Sequence, residues 1–390
     1  MRVRILGAGI VGLSVADELI RRGHDVEVVD PSPGSGASYA AAGMLSPAGE
    51  AWYGEEDLTR LCLSSLALWP DFAARLGVPV HTRGTLLVGV DAGDVQQVER
   101  QLAVLDLAGV SYERLLRREL LAREPGLGRV AGGAFLAEDH SVDPRAVVAA
   151  LLDRVGDRVG LDTDSFVPHE SGSTDGITAG RGDGITAGRG DGITAGRGDG
   201  ITAGRAAGAA RRRRVETNTA AEVTVIATGA NLPAPYSALI RPVRGDVVRV
   251  RTQERVERTV RAWAHGEQIY VVPRVDSDEV VIGATTEERD GPLLPTVEGV
   301  WRLLDSARRV VPGLDRAGVV EVTSRDRPGT ADNLPLVGPT HEPGVVLAAG
   351  AYRNGVLLAP LIARLVAQHI ETGSVEPAVD PRRFRTKEDG

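Results

Sequence analysis

Three glycines near the N-terminus, Gly7, Gly9 and Gly12, stand in the order G-x-G-x-x-G between an apolar run and an amphipathic stretch, and an acid, Asp30, closes the next apolar run. Those residue types at that spacing suit a dinucleotide. Gly7 makes a tight turn, Gly9 lets backbone approach a pyrophosphate, and Gly12 lets a helix pack close to a strand. Phosphates sit on the free N–H groups and positive dipole end of the helix, and the Asp30 carboxylate accepts hydrogen bonds from a ribose. Near the C-terminus, Gly350 to Gly355 (Gly-Ala-Tyr-Arg-Asn-Gly) again follow an apolar run and precede a helical pattern. That second helix start either faces an anionic ring or simply closes the sheet, and the two roles are compatible.

Two more side chains invite chemistry. Arg327 is expected in a Pro/Gly-punctuated loop, residues 325–338, between apolar strands; an unpaired guanidinium there is costly, so it needs an anion. A ligand carboxylate and an aspartate such as Asp326 or Asp332 serve equally on local grounds. Tyr270 lies in an apolar strand, where a core tyrosine is the ordinary explanation.

Composition narrows the chemistry. Lys387 is the only lysine and lies in a polar tail, which disfavours a Schiff-base or general-base lysine. Cys62 is the only cysteine, which excludes an internal disulfide and a thiolate metal cluster and suits a reducing compartment. No metal site is expected. A net charge of −8 gives no reason to expect a nucleic-acid or polyanionic partner. The first strand is predicted to begin at once, so no signal peptide is expected, no run is long enough to span a bilayer, and the expected default location is the cytoplasm.

The elements that must position these residues follow from periodicity. Residues 2–6 and 25–29 are predicted strands flanking a helix that Gly23 stops. No second βα unit follows Asp30. Instead come a Gly/Ser loop and the small residues 40–45, which either lie flat against a planar group or pack at a helix start. Further helices are predicted over 58–76, 95–108, 145–155 (with Asp143 as N-cap and Pro144 at its first position), 299–311 and 356–370. Strands are predicted within 78–90, over 136–142 and over 222–227, the last ending in Thr228-Gly229. A β-meander is expected over 243–250, 268–273 and 279–285, followed by a strand at 345–349. Residues 171–210 hold an octapeptide repeat, Gly-Ile-Thr-Ala-Gly-Arg-Gly-Asp, whose single isoleucine per copy cannot offset the entropy of ordering glycine-rich backbone; a disordered surface insertion is expected. The run Arg211 to Arg214 reads as a solvated edge.

Several stretches together resemble the flavin-dependent D-amino-acid oxidase superfamily, and within it the glycine oxidases of thiamin thiazole biosynthesis. They are residues 7–12 with Asp30, residues 40–45, Ile269-Tyr270-Val271-Val272-Pro273-Arg274, Val281-Ile282-Gly283-Ala284-Thr285, Arg327-Pro328-Gly329-Thr330, and Arg353-Asn354-Gly355-Val356-Leu357-Leu358-Ala359-Pro360. The resemblance runs nearly end to end, and the octapeptide array is foreign to it. It implies an α/β fold in which a discontinuous Rossmann-like FAD-binding domain (1–78, 143–237 and 325–373) alternates with an antiparallel-sheet α+β substrate domain (79–142 and 238–324), before a tail over 374–390. It implies non-covalent FAD held by Gly7, Gly9, Ile10, Val11, Gly12 and Asp30, by Ser38, Gly43, Met44 and Gly229, and by Asn354, Gly355, Val356 and Leu357. By position, Arg327 resembles the arginine that binds substrate carboxylate, Tyr270 the tyrosine that assists it, and Arg353 an active-site arginine. Gln268 stands where a histidine can occur and Thr286 where a methionine can.

The implied activity is oxidative deamination of glycine, with molecular oxygen as acceptor, supplying glycine imine for the thiazole of thiamin. Sarcosine or small D-amino-acid oxidation is the alternative. A homotetramer and a hand-off to a thiazole synthase are the implied partners.

Overall fold

The computed structural model describes residues 1–161 and 221–384, and each structural statement below concerns those residues. The octapeptide repeat, the Arg211 to Arg214 run and Lys387 lie outside them.

The strand Arg2–Leu6 buries Val3 and Ile5 completely, and the helix Ile10–Arg21 follows after the glycine turn. The helix ends where Gly23 takes a left-handed φ of 86°. Its apolar face, with Leu13, Ala16 and Leu19, shares one core with the C-terminal helix Gly355–Thr372. Beside these helices runs a six-stranded sheet in the order Leu336–Pro339, Val345–Ala349, Val223–Ile226, Arg2–Leu6, Asp25–Val29, Val159–Gly160. All neighbours are parallel except the first pair. Parallel order brings the ends of successive strands, and hence Gly7, Asp30, Ala227 and Gly350, to one edge.

A second sheet has eight strands: Gly318–Gly329, Arg241–Arg251, Glu279–Gly283, Glu267–Pro273, Thr259–Ala264, Thr85–Gly89, Gly132–Leu136, Glu113–Leu116. Its pairs are antiparallel apart from Thr259–Ala264 with Thr85–Gly89. One core packs the helix Val297–Val310 against it, and another packs Ala92–Ala108. A small antiparallel sheet joins Met44–Leu45, His140–Val142 and Val80–His81.

Four expectations need correction. The helix expected over 58–76 is two, Glu56–Leu66 and Trp69–Leu76, because Pro70 has no N–H to continue the first and suits the opening turn of a second. The strand expected over 136–142 is also two, Gly132–Leu136 and His140–Val142, separated by a turn and belonging to different sheets. The expected meander has a different order: Arg241–Arg251 pairs with Glu279–Gly283, and Thr259–Ala264 takes the far side. Finally, residues 325–338 are not one loop. Gly318–Gly329 continues as strand past Arg327, and Leu336–Pro339 edges the first sheet. Pro328 is tolerated because the Gly318–Gly329 strand has a sheet neighbour on one side only.

Candidate active site

The glycine turn is shaped by close approach. A Cβ on Gly7 would lie 2.4 Å from the Ala227 carbonyl oxygen, and one on Gly12 would lie 2.0 Å from that of Gly7. At Gly9 the nearest atom would be Ser38 Oγ at 3.4 Å, so backbone there stays open to a ligand. The first helical N–H, on Ile10, donates to Ser38 Oγ at 3.0 Å, leaving the Ser38 O–H free to donate onward. Asp30 accepts from Ala8 N at 2.6 Å and from Ser32 N at 2.7 Å. Its carboxylate therefore braces the turn and keeps lone pairs for a ribose.

A cavity of about 460 Å³ runs along this edge and under the second sheet. Gly7, Gly9, Ile10, Val11, Asp30 and Ser38 line one part of it, and Gly43, Met44, Gly229, Asn354, Gly355 and Val356 another. Gly12 packs behind the turn. Leu357 is also away from the cavity: it is buried in the helix core, and its carbonyl accepts from Ser65 Oγ at 2.6 Å and Trp69 Nε1 at 2.8 Å. Cys62 is buried in the same core, where burial pushes its thiol up. These placements fit FAD: the glycine cradle and helix start suit a pyrophosphate, Asp30 suits a ribose, and the helix start at Gly355 opens onto the same cavity.

Cross-strand register builds the other wall. Arg261 pairs with Tyr270, Tyr270 with Gly283, Gly283 with Val247 and Val247 with Thr323. Directly opposed residues share a face, and along Gly318–Gly329 the alternation carries that face from Thr323 to Arg325 and Arg327. Arg261, Gln268, Tyr270, Arg325 and Arg327 all line the cavity, as does Thr286. Two glycines make room. A Cβ on Gly283 would meet Tyr270 Oη at 2.3 Å, and one on Gly245 would meet Arg327 Nη2 at the same distance.

The cations on this wall differ in their partners. Arg327 donates through Nη1 to the Thr285 carbonyl at 3.1 Å and has no carboxylate within ion-pair distance among the described residues. Neither aspartate considered for it is available, since Asp326 pairs with Arg244 and Asp332 with Arg383. Arg353 lines the cavity too, yet its guanidinium is committed: Nε donates to Glu50 at 2.8 Å, Nη2 to the Glu50 carbonyl at 3.2 Å, and Nη2 also to Glu55. Glu50 also accepts from Arg261. Burial would raise the Glu50 carboxyl, but the charges of Arg261 and Arg353 outweigh it and hold the group below its ordinary range. Burial raises the Tyr270 hydroxyl against the opposing charges of Arg327 and Arg261, so it stays protonated and able to donate.

Sequence reasoning missed Glu50, Glu55 and Arg261. It also missed Asp139, which accepts from Ser46 Oγ, from Ala48 N at 3.1 Å and from Gly49 N at 2.7 Å, fixing the turn that ends at Glu50. Burial pushes the Asp139 carboxyl up to about 6.

A glycine-turn sheet and a sheet presenting an arginine with no acid within ion-pair distance among the described residues, beside a tyrosine, meet over one cavity, an arrangement whose two ends suit a dinucleotide and a small anion. The chain belongs to the FAD dependent oxidoreductase family, whose sequence model matches residues 2–160 and 189–369. It is 32% identical over 389 residues to the bifunctional protein ThiO/ThiG of Trichormus variabilis, covering 97% of this chain and 53% of that one. The chain thus spans about half the length of that relative. It is 29% identical over 394 residues to the glycine oxidase of Geobacillus kaustophilus, covering 95% and 92% of the two chains. The crystal structure of glycine oxidase from that organism superposes with a TM-score of 0.76 over 99% of each chain at 27% identity. Among the described residues no helix is long and apolar enough to cross a membrane.

Proposed function

We propose that the chain oxidises glycine: glycine, oxygen and water give glyoxylate, ammonia and hydrogen peroxide. Bound FAD supplies the two-electron acceptor that the side chains lack. Glycine offers only a carboxylate and an amine for recognition, and the observation that carries the reading is Arg327, a guanidinium facing the cavity without an acid among the described residues. A planar fork takes both carboxylate oxygens at once. The protonated Tyr270 hydroxyl, beside that guanidinium, donates to the same carboxylate. Fixing this end presents the α-carbon to the rest of the cavity in one orientation, which replaces a search by a positioned encounter. Arg353 is assigned to holding Glu50 and Glu55. The glycine-oxidase and ThiO/ThiG names of the relatives support this substrate and a hand-off of the imine to a thiazole synthase. Sarcosine stands as a second substrate because Gln268 and Thr286, which differ from the pattern of the resemblance, both line the cavity.

Arg327→Ala tests the reading. The loss in kcat/KM for glycine is expected at about 2–5 kcal/mol, the range for truncating one partner of a buried charged pair, with Arg327→Lys between it and wild type. FAD content should survive both changes. Normal glycine turnover by Arg327→Ala would remove the assignment.

A further inference from the structure

The cavity wall carries more charge than one substrate carboxylate needs. Arg327, Arg261 and Arg353 are cationic, while Glu50 lies between the last two and Glu55 pairs with Arg353. Arg325 also lines the cavity without an ion pair among the described residues, but its Nε donates to the Ser35 carbonyl at 2.8 Å, on the loop whose Gly34 N–H is tied to Ala8 at the glycine turn. Around Tyr270 the other three cations stand against two anions and leave one positive charge, located on Arg327, whose guanidinium has no acid within ion-pair distance among the described residues. We propose that Glu50 sets this balance, making the pocket selective for monocarboxylates and excluding dicarboxylates. The proposal rests on the amino-acid-oxidase reading for its biological meaning, and on geometry for its substance.

Glu50 is placed to do this and cannot move aside. One of its carboxylate oxygens accepts from Arg261 and the other from Arg353 Nε. The turn behind it is clamped from two directions, by Asp139 on the N–H groups of Ala48 and Gly49 and by Gln101 Nε2 on their carbonyls at 3.2 and 2.7 Å. Arg261 and Arg327 occupy the same face of the second sheet, with Tyr270 between them; the Tyr270 hydroxyl experiences Arg327, Glu50 and Arg261 together. Glu50 is the acid paired with Arg261, so neutralising it leaves a second unpaired guanidinium beside Tyr270, in the part of the cavity that holds Arg327. A second ligand carboxylate would then find an arginine in place of an arginine–glutamate pair.

The test titrates acetate and malonate, which carry no amine to oxidise, into the FAD-loaded full-length protein and follows the visible flavin spectrum. Wild type should bind malonate no more tightly than acetate. Glu50→Gln should tighten malonate by about tenfold while acetate stays within about threefold. Glu50→Gln with Arg261→Gln should return malonate to the wild-type value. Arg261→Gln alone lowers the positive charge and should weaken acetate severalfold, so it decides the matter if Glu50→Gln fails to retain FAD. Tighter malonate than acetate in wild type, an unchanged malonate-to-acetate ratio in Glu50→Gln, or unchanged acetate affinity in Arg261→Gln would each overturn the proposal. Glycine turnover is measured separately: no turnover with the ratio shift intact refutes the oxidase reading and leaves the charge selection standing.

Discussion

Gly245→Ala is the sharpest test of how Arg327 is held. The added methyl would lie 2.3 Å from Nη2 and 2.4 Å from both Cζ and Nη1 of Arg327. Ordinary carbon contacts begin near about 3.5 Å, so the guanidinium must retreat by roughly 1 Å or more. What retreats is the far end of a flexible side chain at the cavity, so the fold should tolerate the change. Substrate positioning should not, since about 1 Å of misplacement can cost on the order of 100-fold. We therefore expect kcat/KM for glycine to fall about 100-fold, with FAD content unchanged and Tm within a few degrees. Steady-state kinetics against a thermal melt of the same preparation separates the two effects. Because the methyl acts only through Arg327, combining it with Arg327→Ala should add little beyond Arg327→Ala alone. Full additivity in that cycle, or wild-type kcat/KM in Gly245→Ala, would show that the close approach does not govern the substrate arginine.

Two further outcomes concern Asp30 and the buried Asp139. Asp30→Ala removes a carboxylate that braces the glycine turn and should weaken FAD binding by about 1.5–3 kcal/mol, read as recovery of flavin fluorescence quenching on titrating apoprotein; unchanged affinity would remove Asp30 from the site. Asp139 is raised from 3.8 to about 6, so its stabilising contribution is complete below about pH 3.8 and is lost as pH rises through about 6. In urea unfolding, the stability of wild type relative to Asp139→Asn should fall by about 2 kcal/mol between pH 4 and pH 7, and a pH-independent difference would refute that origin.

Much of the nucleotide half was legible because its signals are local. Strand periodicity, the spacing of Gly7, Gly9 and Gly12 and the stop at Gly23 lie within one short stretch, and the helix Ile10–Arg21 appears there. Arg327 was recognisable as a residue needing an anion, but its strand was hidden. Ser324, Arg325, Asp326 and Arg327 give no apolar alternation because Arg325 and Arg327 face the cavity while Asp326 pairs with Arg244, and Pro328-Gly329 mimics a turn. Glu50 gave no signal at all. It sits in a short Gly/Ala turn, and the arginines that give it meaning are 211 and 303 residues away in sequence. The register Arg261 to Tyr270 to Gly283 to Val247 sets Arg261 and Tyr270 on the cavity face, Glu50 and Arg353 arrive from a turn and a helix start, and contact between such distant segments is what periodicity cannot report.

The position of Arg2–Leu6, between Asp25–Val29 and Val223–Ile226, has a consequence for biosynthesis. On the ribosome the first strand gains one neighbour almost at once, while its other edge waits for a strand that begins at residue 223. At about 5–20 residues per second that interval is on the order of 10–45 s. For that time the nascent nucleotide half has an open backbone edge and an unfinished phosphate cradle, since the Ala227 carbonyl that abuts Gly7 has not been made. A complete phosphate cradle is therefore expected only late in synthesis, once Ala227 has been made and its strand has paired with Arg2–Leu6.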